Sequence, residues 1–104
     1  MIEVDELQQR LREFADARDW QKYHSPKNLV MAMSVEMAEL MEHFQWMTEQ
    51  QSLKLDAATR EQVALEMADV LIYLVRMADR CDVDLDEAVE RKLALNRLKY
   101  PAAK

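Results

Sequence analysis

Apolar residues recur along this chain at helical spacing and almost nowhere alternate. Between Val4 and Arg18 they fall at Leu7, Leu11, Phe14 and Ala15, which predicts an amphipathic helix. A polar and aromatic connection, DWQKYHSPKN, follows. Inside it Ser25-Pro26 is a helix start, with serine as N-cap and proline at the first helical position. The second helix is expected from about Lys27 to Met47. TEQQSLKLD reads as a loop, and Asp56 as the N-cap of a third helix reaching Arg80. Asp84 and Glu87 form an Asp-x-x-Glu start signal for a fourth helix, which runs to about Lys99 and is stopped at Tyr100-Pro101. Four helical segments with no strand predict an all-α fold, and no linker divides residues 1–104 into more than one domain.

Two of these helices carry acids where acids are hardest to keep. VEMAELMEHFQW in the second and LEMADVLIYLVR in the third align at one offset, so that Glu36 falls on Glu66, Glu39 on Asp69, His43 on Tyr73 and Trp46 on Arg76. Positions i, i+3, i+7 and i+10 of a helix share one narrow strip. The third helix is apolar on nearly every side: Val63, Met67, Val70, Leu71, Leu74 and Met77 form one broad face, and Leu65, Ile72 and Val75 the other. Such a helix is buried in a bundle or at a subunit interface. Unpaired buried carboxylates cost several kcal/mol or take up protons, and four converging from neighbouring helices repel unless a cation lies between them. Carboxylate oxygens are hard ligands that suit Mg²⁺ or Mn²⁺. The alternative is that these are structural acids: among twenty Asp and Glu, some E-x-x-E pairs arise by chance.

Composition narrows the chemistry. The chain has no glycine, which excludes every Gly-rich phosphate loop and argues against a sheet-rich fold with tight positive-φ turns. A protein like this that handles phosphates must use metals and side chains. The net charge of −6 argues against a nucleic-acid polymer as partner, but not against a small anion that arrives with a metal. Cys81 is the only cysteine, so neither an intrachain disulfide nor a cysteine zinc site is available. The start, MIEVDELQQR, lacks the apolar run of a signal peptide, and no segment has the length of a membrane span; a cytoplasmic setting is expected.

The E-x-x-E of Glu36 and Glu39 followed by the E-x-x-D of Glu66 and Asp69 resembles the signature of the MazG-like superfamily of all-α nucleoside triphosphate pyrophosphohydrolases. RDWQKYHSPKNL, HFQW and RKLALNRLKYP resemble its dCTP pyrophosphatase branch, and the likeness runs from about Leu7 to Pro101. The resemblance implies a four-helix bundle that assembles as a homodimer or homotetramer. It also implies Mg²⁺-dependent hydrolysis of a nucleoside triphosphate between the α and β phosphates, giving monophosphate and pyrophosphate, with dCTP or modified dCTP as the substrate class in nucleotide-pool cleansing. Carried over by position, it makes Glu36, Glu39, Glu66 and Asp69 the metal ligands and catalytic acids. Lys92, Asn96, Lys99 and Tyr100 match the segment that contacts phosphates, and Trp20, Trp46 and Tyr73 match positions lining the nucleoside pocket.

Competing readings are available for each feature. Trp20 and Trp46 also suit a core, and Lys92, Asn96 and Lys99 form a polar stripe that suits a solvated face. His24 and His43 are too few and badly spaced for zinc catalysis. A di-iron bundle would use Glu-x-x-His pairs, whereas Glu39 and His43 are four apart and the third helix has no histidine. Arg76 ends the acidic strip as either a salt-bridge partner or a phosphate contact. A non-enzymatic helical interaction module, or a pyrophosphohydrolase acting on dUTP or phosphoribosyl-ATP, are the alternatives to a dCTP-type enzyme.

Overall fold

A computed structural model describes residues 2–103. Its helices are α1 (Val4–Ala17), α2 (Pro26–Glu42), α3 (Glu49–Ser52), α4 (Ala57–Arg80) and α5 (Leu85–Lys99), with a short 3₁₀ turn at Gln21–Tyr23 and no strand among the described residues. The all-α expectation holds. The four expected helices are α1, α2, α4 and α5, and α3 is an addition.

The helix starts follow local chemistry. Ser25 Oγ accepts from the Asn28 amide at 3.1 Å, Asp56 Oδ1 from the Thr59 amide at 2.8 Å, and Asp84 Oδ1 from the Glu87 amide at 3.1 Å. Each satisfies one of the amides that a helix N-terminus leaves without a partner. TEQQ, expected as loop, instead forms a capping box. Thr48 Oγ1 accepts from the Gln51 amide at 3.1 Å, and Gln51 Oε1 accepts from the Thr48 amide at 2.9 Å. The Thr-x-x-Gln spacing was the available signal.

The second helix stops at Glu42 rather than Met47. His43, Phe44 and Met47 donate to carbonyls three residues back, so the chain tightens into turns. It then enters the extended backbone that Thr48 needs as the α3 N-cap, with φ −75° and ψ 164°. The strip linking Glu39 to Trp46 is thereby broken, and Trp46 is 88% exposed.

Lack of glycine does not prevent left-handed backbone. Asp19 (φ 55°) and Asp82 (φ 57°) both adopt it just after a helix C-cap. After α1, Asp19 N–H reaches Asp16 O and Trp20 N–H reaches Ala15 O; after α4, Asp82 N–H reaches Asp79 O and Val83 N–H reaches Ala78 O. These are paired Schellman bonds, and aspartate tolerates the left-handed region better than most residues. The first of these turns brings Trp20 back beside Phe14, with ring centroids 5.6 Å apart.

The helix pair α2 and α4 forms the main contact, and α1 lies against α4. Their shared core holds Ala15, Leu29, Val63, Val75 and Ala78. α5 has no buried residue. The Cα radius of gyration is 16.7 Å, against about 13 Å for a compact chain of this length. Large apolar side chains remain exposed on α4 (Leu65, Met67, Ile72, Leu74) and on α5 (Val89, Leu93, Leu95, Leu98). The all-round apolar helix is thus only partly covered within one chain.

Candidate active site

α2 and α4 run side by side, and this brings Glu36, Glu39 and Glu66 together. One carboxylate oxygen from each lies within 4.8 Å of the others. Oε2 of Glu36 and Oε2 of Glu66 are buried without a hydrogen-bond partner. Burial, followed by a hydrogen bond to Glu39 and the charges of Glu39, Asp69 and Glu66, pushes the Glu36 carboxyl up to about 7. A cluster that strains against its own charge is a fit for a divalent cation, and its all-oxygen donors suit a hard ion. Asp69 is exposed and outside the three-acid group, although its charge acts on Glu36.

Further along the same strip of α4, Tyr73 and Arg76 line a cavity of about 300 Å³. Its aromatic walls are Phe14, Trp20 and Tyr73, its aliphatic walls Leu11, Leu29 and Ile72, and its polar groups His24 and Arg76. By helix rise, Tyr73 stands about 6 Å beyond Asp69 and Arg76 about 10 Å beyond it. The acids and the cavity therefore lie in succession along α4.

Arg76 is 3% exposed, a charged group inside an apolar helix. Nε donates to His24 Nδ1 at 3.1 Å, one terminal nitrogen to Asp79 Oδ2 at 3.2 Å and the other to Gln21 Oε1 at 2.6 Å. Asp79 also accepts a two-pronged contact from Arg12 on α1, at 2.8 and 3.1 Å. Arg80 Nε donates to the His24 carbonyl at 3.0 Å, and Gln21 donates to Asp16. Burial, with Arg76 and Arg80 nearby, lowers the His24 pKa below its ordinary value. The ion pair with Asp79 makes Arg76 a salt-bridge partner, one of the two roles open to it from sequence, whereas its bonds to Gln21 and His24 left no trace along the chain.

Of the residues expected at a nucleoside pocket, Trp20 and Tyr73 line the cavity and Trp46 does not. Lys92, Asn96, Lys99 and Tyr100 lie on α5 or at its end, and none of them lines it. No helix of the described residues is long and apolar enough to cross a membrane.

The profile of the MazG-like family matches residues 31–104. The chain is 45% identical over 101 residues to dCTP pyrophosphatase 1 of Homo sapiens, which covers 95% of this chain. It is 42% identical over 100 residues to dCTP pyrophosphatase 1 of Bos taurus, covering 94%. It spans 59% of the length of each of these curated relatives. The crystal structure of a pyrophosphatase from Archaeoglobus fulgidus superimposes with a TM-score of 0.90 at 43% identity, over 98% of this chain and 95% of that one.

Proposed function

This chain belongs to the MazG-like family, and on that footing we propose that it hydrolyses a deoxynucleoside triphosphate, of the dCTP class, to the monophosphate and pyrophosphate. The observation that carries the reading is the placing of two unlike features on one helix face. Three clustered acids, two of them with an unpartnered buried oxygen, stand beside an aromatic cavity that a base can enter. The names of the 42–45% identical relatives support the dCTP class.

Glu36, Glu39 and Glu66, with Asp69 beside them, would hold Mg²⁺, or Mn²⁺ in its place. When bound, the ion supplies charge neutralisation for the triphosphate and lowers the pKa of the attacking water. The protein's own share is orientation. Trp20 and Tyr73 give the base flat faces to lie against, and one of the four carboxylates accepts a hydrogen bond from the attacking water and so orients it. Phosphoryl-type transfer depends mostly on such positioning and on electrostatics, so a helical scaffold without glycine suffices.

The working form is a homodimer or homotetramer in the cytoplasm. Exposed apolar residues on α4 and α5 and the extended shape of one chain support assembly. In the assembly, Lys92, Asn96, Lys99 and Tyr100 reach the phosphates, and Trp46 is brought toward the base.

The test is product analysis over a panel of nucleoside triphosphates with Mg²⁺, separating pyrophosphate from single phosphate. Pyrophosphate with the matching monophosphate, best from dCTP and dependent on metal, is the expected outcome. Release of single phosphate, or no release from any nucleotide, overturns the proposal.

A further inference from the structure

Arg76 has a role that the acids and aromatic walls leave open. Its guanidinium carries five N–H groups. Three are directed to His24, Asp79 and Gln21, so two remain without a side-chain partner on a residue that lines the cavity. The bond from Nε to His24 Nδ1 also determines the state of the imidazole. A ring nitrogen that accepts carries no proton, and a neutral imidazole keeps its single proton on the other nitrogen. His24 therefore has Nε2–H, and no side chain among the described residues engages it. Burial and the charges of Arg76 and Arg80 oppose a second proton on the ring.

The polar groups of the cavity are then donors, except for the Tyr73 hydroxyl, which rotates to suit either kind of partner. A flat ring entering such a site must offer acceptors. Cytosine has two side by side, N3 and O2. Uracil, of nearly the same shape, carries a proton on N3 and so sets a donor against donors. A site built to pair a polar edge rejects the analogue with the wrong edge, because a desolvated group is left unpaired.

The geometry points to Arg76 as the residue that selects the base: it holds His24 in the Nε2–H form and, together with it, gives the cavity a donor edge that accepts cytosine and excludes uracil. This rests on the cavity being the base site. Arg76 is held in turn by Asp79, which Arg12 anchors from α1. The selectivity is thereby built into the packing of α1 on α4 rather than into a loop.

Two measurements test it. The first is the pair of ring-nitrogen chemical shifts of His24 in the wild-type protein at neutral pH. Nδ1 in the unprotonated range and Nε2 in the protonated range are expected; the opposite tautomer or a doubly protonated ring overturns the inference. The second is calorimetric binding of dCMP and dUMP with Mg²⁺. The wild type is expected to favour dCMP by about tenfold or more, and Arg76→Ala and Arg76→Lys to reduce the preference to within about threefold. Lysine keeps the charge but not the fork. Equal binding of dUMP by the wild type, or full discrimination in a folded Arg76→Ala, overturns the inference while leaving the base site intact. Binding of neither nucleotide removes the base site itself, and the inference with it. If Arg76→Ala does not fold, the wild-type tautomer and the wild-type dCMP to dUMP ratio decide.

Discussion

Glu36 on α2 and Glu66 on α4 each hold one carboxylate oxygen buried without a hydrogen-bond partner, while their ligand atoms lie within 4.8 Å of each other and of Glu39. Side chains on neighbouring helices do not meet this way for the sake of stability alone. Without a cation, the arrangement concentrates negative charge and withholds water from two acceptors.

Removing one of these charges should therefore separate stability from activity. Glu66→Gln is expected to abolish turnover while the protein remains helical. In EDTA its stability should rise, on the order of 1 kcal/mol after solvent screening, or about 4 °C or more in Tm. Circular dichroism melts and a pyrophosphate assay on the same preparation check both. Near-normal turnover would remove Glu66 from the site.

The Glu36 carboxyl, raised from its ordinary 4.5 to about 7, makes the metal-free protein sensitive to pH. A group whose pKa is raised by folding contributes stability that is fully present below the unfolded value and is lost as pH rises through the folded value. In EDTA, Tm is expected to fall between pH 5 and about 7 from this group, and Glu36→Gln should flatten that part of the profile. Because protons compete with the cation for the same oxygens, Mg²⁺ should bind more weakly at pH 6 than at pH 8. A pH-independent affinity in titration calorimetry would contradict this.

Asp79 serves two arginines, and they depend on it unequally. Arg76 is buried, whereas Arg12 can turn to solvent. Asp79→Ala leaves a buried guanidinium without its carboxylate and is expected to cost about 3 kcal/mol. Arg12→Ala should cost clearly less. Urea denaturation of the two variants gives the comparison, and equal losses would mean that Arg76 draws little from Asp79.

Met67 and Leu74 stand seven residues apart on α4, on one strip, and both are exposed in the single chain. Covering such side chains contributes about 1.5–3 kcal/mol each. The wild type is expected to sediment as a dimer or tetramer and Met67→Lys/Leu74→Lys as a smaller species. A monomeric wild type would show that this face needs no cover.

Much of this molecule was legible along the chain because helices and caps are local. Ser25, Asp56 and Asp84 cap within three residues of themselves, and the Glu-x-x-Glu and Glu-x-x-Asp pairs lie within one turn. Spacing of this kind is set by the backbone period, so residues 4–18 and 57–80 read as helix without knowledge of the rest. Reading failed where two local tendencies competed: after Glu42 the helical spacing of His43 and Trp46 with the acids favoured more helix, while Thr48 and Gln51 favoured a new start. What only the tertiary structure decided is which distant groups share a space. Glu36 meets Glu66 across α2 and α4, and Arg76 meets Gln21 and His24 from far along the chain. The same packing leaves Trp46 and α5 away from the cavity in a single chain. Such contacts depend on how helices cross and on which polar groups can be satisfied together once water is excluded, and neither is written in the period of any one segment.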